Sequence, residues 1–261
     1  GMPAVALTDT GNLFGAMEFS AAAAKEGIQP IMGLQVDLAH APAVHPGDRP
    51  APPRPVVLLA QDEMGYANLL ALSSANYLDP GEALPHVPLA TLTAHAEGVI
   101  CLTGGAGGPL GSLIAEGHAE RARGLAQILA AAFPGRLYVE VQRHPDGDTP
   151  RTAAEAATEP GLVTLAHDLD LPLVATNDVH FTDAGMYEAQ DALLCIADGA
   201  YVDQSQPRRR LTPEHGFKTQ DEMVALFADL PEAVENTVEI ARRCAYRPLK
   251  RKPILPRFAE D

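Results

Sequence analysis

Short apolar runs that alternate with amphipathic stretches constrain this chain more than any other feature. Residues 3–9 (PAVALTD), 28–38 (IQPIMGLQVDL), 56–60 (VVLLA), 99–103 (VICLT), 136–142 (RLYVEVQ) and 172–176 (PLVAT) are each short, apolar and closed by polar or glycine-containing turns, as buried strands are. Between them the spacing predicts helices. Residues 13–26 carry Leu13, Phe14, Met17 and Ala21 at helical intervals, with Gly27 as the stop; residues 62–78 gather Tyr66, Leu69, Leu70 and Leu72 on one side. Residues 109–133 read as one broken helix or two, and 151–167 as a helical stretch interrupted by Pro160-Gly161. Three helical segments, 184–198, 220–229 and 232–246, close the chain, the last with Val234, Val238 and Ile240 facing inward. Residues 39–55, proline-rich and without periodicity, read as an exposed loop carrying His40 and His45.

Strands alternating with helices imply parallel pairing through right-handed crossovers, so the expected fold class is α/β, either an open doubly wound sheet or an incomplete (β/α) barrel. In both architectures the carboxyl ends of the strands form the site face. Polar residues collect there: Asp9, Thr10 and Asn12 after the first strand, His144 after 136–142, and Asn177-Asp178-Val179-His180 after 172–176. No internal repeat is present, and 261 residues suffice for one large domain or two small ones.

Composition narrows the function classes. Nineteen Lys and Arg against thirty-four Asp and Glu leave a net charge of −15, which opposes broad gripping of a phosphate backbone; nucleic-acid contact would have to be local. Cys101, Cys195 and Cys244 are few and widely spaced, so neither a disulfide framework nor a clustered cysteine zinc site is encoded, and a reducing cytoplasm fits. No apolar run approaches the roughly 20 residues of a bilayer span, so no membrane partner is expected. Gly1 before Met2 reads as a remnant of tag removal, and no signal peptide follows it.

Asp178 and His180 are the sharpest chemical signal. Alternate residues at a strand end point to the same side, so a carboxylate and an imidazole can reach one cation. Two ligands do not make a hydrolytic centre; His144 and Asp9 could join them in space, or Asp178 could cap the next turn and His180 bond locally. The cluster Gly104-Gly105-Ala106-Gly107-Gly108 matches no dinucleotide or phosphate-loop pattern and reads as a flexible turn. Arg208-Arg209-Arg210 and Lys250-Arg251-Lys252 are the basic clusters, taken as solvated surface unless DNA or an acidic partner meets them. No serine or cysteine sits in a nucleophile motif.

Taken together, Ala6-Leu7-Thr8-Asp9-Thr10-Gly11-Asn12-Leu13-Phe14-Gly15-Ala16, Gly27-Ile28-Gln29-Pro30-Ile31-Met32-Gly33, Gly65-Tyr66 with Asn68-Leu69 and Leu72-Ser73-Ser74, and Val174-Ala175-Thr176-Asn177-Asp178-Val179-His180-Phe181 resemble the amino-terminal PHP domain of the bacterial DNA polymerase III α subunit. The terminal run 227–233, with Asn236-Thr237 and Ile240-Ala241, continues the resemblance, and Leu255-Pro256-Arg257-Phe258 resembles the start of the polymerase module. The resemblance implies a distorted (β/α)7-type PHP barrel, incomplete at the amino terminus because the family's first strand, with a His-x-His pair, would lie upstream of Met2. It divides the chain into a PHP domain, 2–247, and a basic, proline-rich linker, 248–261.

In metal-binding members of that family the strand ends hold a trinuclear cluster on His, Asp, Glu and Cys. Here Thr10 stands where a histidine is expected, Gln35 where a glutamate is, Pro55 where a histidine is and Gly105 where a cysteine is. Asp178 and His180 remain, as vestigial metal ligands expected to be unoccupied, and no catalytic residue is assigned. The implied function is a catalytically inactive scaffold in DNA replication. Its implied partners are the polymerase module of the same parent chain and the proofreading exonuclease subunit, with DNA met only through the holoenzyme. The parent would be a DNA-directed DNA polymerase, a nucleotidyltransferase of the cytoplasm. The exposed edge left by the missing strand would also allow a dimer. The alternative is a metal-dependent phosphoesterase or 3′–5′ proofreading exonuclease using zinc or manganese on Asp178 and His180, with ligands from the missing strand and Asp9 and His144 as further candidates; otherwise no cofactor is expected.

Overall fold

The computed structural model describes residues 2–40, 51–78, 80, 84–145 and 147–250. Strands β1 (Ala4–Leu7), β2 (Gln29–Ala39), β3 (Arg54–Ala60), β4 (Val87–Pro88), β5 (Val99–Leu102), β6 (Leu137–Gln142) and β7 (Leu173–Thr176) form one curled sheet. Its order is β1-β2-β3-β5-β6-β7, with β4 pairing beside the far end of β2. The helices are α1 (Ala16–Lys25), α2 (Glu63–Leu78), α3 (Leu89–Ala94), α4 (Pro109–Ala115), α5 (Ala119–Ala132), α6 (Ala153–Asp168), α7 (Tyr187–Asp198), α8 (Gln220–Leu226) and α9 (Pro231–Arg243). This is the mixed α/β architecture expected of an incomplete PHP barrel.

The strands read as continuous apolar runs because both faces of the sheet are covered. Leu58, Cys101 and Val139 point to the helical layer, where they meet residues such as Leu69, Leu110, Leu129 and Phe133. Their neighbours Leu59, Ile100 and Tyr138 point the other way and pack with Ile31, Leu102 and Val174 beneath Ile240 and Cys244 at the end of α9. The period of two that separates adjacent residues onto opposite faces accounts for both clusters. Asn236 ties α9 to the outer edge of β7 by donating its amide to the Leu173 carbonyl at 2.8 Å.

Several expectations are corrected. Pairing is not uniformly parallel: β3 runs antiparallel to β2 and to β5, while β1–β2, β2–β4, β5–β6 and β6–β7 are parallel. No helix of the described residues separates β2 from β3, so the parallel crossover that alternation implies is not required there. Pro160 does not interrupt α6, which is continuous from Ala153 to Asp168. A capping box between Thr152 and Glu155 fixes its start, and Gly161 lets α4 approach so closely that a Cβ there would sit 2.7 Å from Ile114. Residues 109–133 are two helices, with the positive φ of Gly117 between them. Phe14 precedes α1 and is exposed, as are Met17, Leu70 and Val238; the faces that pack are Ala16, Ser20 and Ala23 in α1, Leu69, Leu72 and Asn76 in α2, and Ala233 and Ile240 in α9. β4 and α3 have no counterpart in the sequence reading. His45 and the run 255–258 lie outside the described residues, as do Arg251 and Lys252.

Candidate functional site

The reversed direction of β3 brings its first residues to the sheet edge where the other strands end. Asp37 pairs with Pro55 and Gln35 with Val57, and Val57 in turn faces Leu102 at the end of β5. Loops after β1, β5, β6 and β7 open on that edge, so it is the site face.

At one side of it, the chain after β1 is stitched to β2. Gln35 donates its backbone N–H to the Asp9 carbonyl at 3.1 Å, and Gly11 donates to the Gln35 carbonyl at 2.8 Å. This register sets the two side chains together, and the Gln35 amide Nε2 donates to the Thr10 hydroxyl at 3.1 Å. Two positions expected to carry a charged ligand and an imidazole therefore satisfy one another as a neutral pair. Asp9 turns toward the start of α1, its Oδ2 lying 3.6 Å from where a Cβ on Gly15 would be.

The glycine cluster is a packed turn. Gly104 has φ +77° and no room for a side chain, because a Cβ there would lie 2.0 Å from the Pro55 carbonyl oxygen. Its N–H donates to Glu140 Oε2 at 2.8 Å, so that amide points at an internal carboxylate and not at a phosphate. Gly105, also at positive φ, faces Gln142: a Cβ there would sit 2.8 Å from the Gln142 side-chain oxygen. The volume a cysteine would need is filled by an amide.

Glu140, missed in the sequence reading, is the most deeply buried carboxyl of the edge. Burial pushes its pKa up, against hydrogen bonds from Thr176 and Gly104 that pull it down. Its signal was available: a lone acid inside the apolar strand LYVEVQ.

After β7, Asp178 and His180 are brought together as expected. His180 Nε2 lies 3.2 Å from Asp178 Oδ2, and both are partly exposed. The bond to Asp178 raises the His180 pKa. Burial alone would raise the Asp178 carboxyl, but the His180 bond and the nearby imidazoles of His215 and His144 bring it below the usual carboxylate range. A returning segment locks this loop: His180 N–H donates to the His215 carbonyl at 2.9 Å, Phe217 N–H to the Phe181 carbonyl at 3.0 Å, and Asn177 to the Gly216 carbonyl at 2.8 Å.

That segment delivers His215, which no local motif marks. Its ring stacks on His144 at 3.9 Å between centroids and 9° between planes. Burial, then the neighbouring His144, pushes the His215 pKa down to about 4, so the ring is neutral at pH 7. His144 does join the neighbourhood of Asp178, but its Nδ1 is held 2.6 Å from Glu155 Oε1, the same carboxylate that closes the α6 capping box. Burial would raise the Glu155 pKa; the bonds from His144 and Thr152 lower it. His144 Nε2 is buried without a protein partner.

Several side chains of this edge are engaged with one another. Thr10 and Gln35 bond each other, Gln142 fills the space at Gly105, and His144 is turned to Glu155. Asp178 and His180 bond each other, and among the described residues no group of three His, Cys, Asp or Glu side chains is arranged to hold a cation.

The basic run 208–210 is not a free solvated cluster. Arg208 forms a buried two-pronged pair with Asp191 at 2.6 and 2.7 Å, Arg209 pairs with Asp198 at 2.9 Å, and Arg210 donates to the Tyr187 hydroxyl at 2.8 Å. Each arginine is used to strap its loop onto α7, which sequence alone could not show because the acceptors lie a helix away.

Comparison with known proteins places the sequence. The PHP domain family profile matches residues 1–144. The chain is 51% identical over 258 residues, 98% of its length, to the DNA polymerase III subunit alpha of Caulobacter vibrioides, covering 22% of that protein. It is 38% identical to the subunit alpha of Rickettsia bellii over 99% of its length and 36% identical to that of Pseudomonas aeruginosa over 99%, covering 21% of each. The chain spans about a fifth of the length of the curated relatives it matches. With a profile match over more than half of its residues and relatives aligned over nearly its whole length, this chain belongs to the PHP domain family.

Proposed function

We propose that this chain is the PHP domain of a replicative DNA polymerase α subunit and serves it as a non-catalytic scaffold in the cytoplasm. It supports the polymerase module of the same parent chain and binds the proofreading exonuclease subunit, and it meets DNA only through the assembled replicase. The Gln35–Thr10 hydrogen bond carries the reading. A phosphoesterase centre needs charged ligands that leave a coordination position open for water, whereas these two groups are neutral and mutually satisfied. Gln142 against Gly105 supports it from the other side of the edge. No helix of the described residues is long and apolar enough to cross a membrane.

The division at 247 belongs to the same reading, as does a vestigial rather than catalytic role for Asp178 and His180. The test is metal stoichiometry on a version extended upstream by the family's first strand and purified without chelator. Less than one ion per chain is expected. Two or three ions, with chelator-sensitive cleavage of a primer 3′ end abolished by His180→Ala, would overturn the reading in favour of a zinc or manganese phosphoesterase. Binding of the exonuclease subunit at micromolar concentration is expected in the same preparation.

A further inference from the structure

Residues 182–211 leave the strand-end edge after Phe181 and rejoin it at Thr212, and the two ends are fastened side by side. Phe217 N–H donates to the Phe181 carbonyl at 3.0 Å, His180 N–H to the His215 carbonyl at 2.9 Å, and the Asn177 amide to the Gly216 carbonyl at 2.8 Å. The fit is close: a Cβ on Gly216 would lie 3.3 Å from the Phe181 ring and 3.4 Å from the Ala184 nitrogen. Each end also carries its own cap, Asp183 accepting from Gly185 N–H at 2.9 Å and Thr212 from Glu214 N–H at 3.3 Å. None of these bonds uses a residue between 186 and 211.

What the intervening chain buries lies outside the domain core. Helix α7 turns Asp191, Leu194 and Cys195 away from solvent, yet neither Leu194 nor Cys195 belongs to the two clusters that cover the faces of the sheet. Its principal neighbour among the described elements is the adjoining turn Ala184–Met186, and the Tyr187 ring meets Phe181 edge-on at the hinge itself, 6.4 Å between centroids. One tripeptide holds the helix down. Arg208 bonds both oxygens of Asp191 at 2.6 and 2.7 Å and the Val202 carbonyl at 3.1 Å, Arg209 bonds both oxygens of Asp198 at 3.1 and 2.9 Å, and Arg210 donates to the Tyr187 hydroxyl at 2.8 Å. Both partners of each of these bonds lie within 187–210. A satellite cluster with few apolar contacts to the main core opens at lower cost than the domain as a whole.

The side chains of Arg208 and Asp191 are 8% and 5% exposed, against 56% and 38% for Arg209 and Asp198, so losing one member of the first pair leaves a covered charge unpaired, whereas the second stays screened by water. We propose that residues 182–211 form a flap that opens as one unit, hinged at Phe181–Thr182 and Leu211–Thr212 and latched shut by Arg208 on Asp191, while the sheet and the 212–217 clamp stay closed. The flap depends neither on the α-subunit reading nor on the state of the strand-end pocket, so its test and theirs fail independently.

The chain's own cysteines report the two openings. Cys195 lies in the flap and Cys101 in β5, both buried, so iodoacetamide labelling of the whole 261-residue chain, followed site by site by mass spectrometry in urea below the unfolding transition, times each one separately. In the unsubstituted chain Cys195 is expected to label about tenfold or more faster than Cys101, at a rate nearly independent of urea, while Cys101 labelling rises steeply because its opening exposes the core. Ile31→Val, a trimmed side chain beneath the sheet, should speed Cys101 about fivefold and leave Cys195 unchanged. Arg208→Met should speed Cys195 about tenfold, and Asp191→Leu added to it, which replaces the pair by apolar groups, should return Cys195 to within about threefold of the unsubstituted chain. Equal rates or equal urea dependence for the two thiols in the unsubstituted chain would overturn the flap whatever the variants do, as would acceleration of Cys195 by Ile31→Val. No acceleration of Cys195 by Arg208→Met, or no recovery in the double variant, would overturn the latch.

Discussion

Gln35 of β2 and Thr10, just after β1, share a hydrogen bond of 3.1 Å, joining two positions where the family resemblance expects metal ligands. The pair is local, formed by a parallel bridge, and needs no third group. Restoring either ligand type alone therefore leaves the other neutral. In the upstream-extended protein, Thr10→His, Gln35→Glu and the double variant are each expected to hold less than one ion per chain by elemental analysis. Gln35→Ala should cost about 0.5–1.5 kcal/mol in urea denaturation, the range for one net hydrogen bond. One or more ions bound by the double variant would show that the remaining edge is competent.

Arg143 ties three parts of the fold through one guanidinium. Its guanidinium is buried, bonds both oxygens of Glu159 at 3.0 and 2.6 Å and both of Asp229 at 2.5 and 2.9 Å, donates to the Leu226 carbonyl, and lies 4.7 Å from the Phe227 ring centre. It fastens the end of β6 to α6 and to the α8–α9 turn. Arg143→Ala leaves Glu159 buried beside Arg151 alone, and should destabilise the chain by about 3–5 kcal/mol. Arg143→Lys should recover less than half of this, because an ammonium cannot span two carboxylates in the plane of a fork. Equal stability of the lysine variant and the parent in urea would refute the geometric account.

The fold was largely legible because its strands are short and apolar and its helices amphipathic, signals that survive without tertiary context. Asp178 and His180 were legible as a pair because they are two residues apart just after β7, although the loop that sets their contact is held by the 215–217 segment. What stayed hidden depends on non-local packing. The direction of β3 is set by its pairing with β2 and β5, the inward faces of α1 and α2 by which small residues meet the sheet, and His215 by a return segment that pairs Phe181 with Gly216. Pro160 shows the converse, since a strong local breaker sits inside a helix held by its cap and by buried neighbours.

Acid should loosen the His144–His215 stack. His215 has a folded pKa near 4, below the ordinary 6.5, so the unfolded chain takes its proton first. Its contribution to stability is present above about pH 6.5 and is lost as pH falls from there toward 4, amounting to about 2 kcal/mol after allowance for solvent screening. His180 has the opposite sign: its pKa is raised, so its contribution is complete below 6.5 and fades as pH rises through the folded value. Urea midpoints measured from pH 7.5 to 4.5 should fall more steeply for the parent chain than for His215→Gln. Parallel curves would remove His215 from the acid response.

Gly105 and Gln142 decide whether a cysteine could return to the turn after β5. At φ +56° any side chain is strained, and the new Cβ would meet the Gln142 oxygen at 2.8 Å, inside ordinary contact. The amide is not free to swing away without loss, because its Nε2 donates to the Thr176 hydroxyl at 3.2 Å, and Thr176 in turn bonds the buried Glu140. Gly105→Ala and Gly105→Cys should thus each cost about 1–3 kcal/mol, combining backbone strain with displacement of Gln142. Gln142→Ala should relieve the steric part, so a double-mutant cycle between Gly105→Ala and Gln142→Ala is expected to show a favourable coupling of about 0.5–1 kcal/mol. Additive effects would mean that backbone strain alone keeps glycine there. A favourable coupling would identify Gln142 as the residue that now occupies the ligand's place, and would make its removal the first step in any attempt to rebuild the centre.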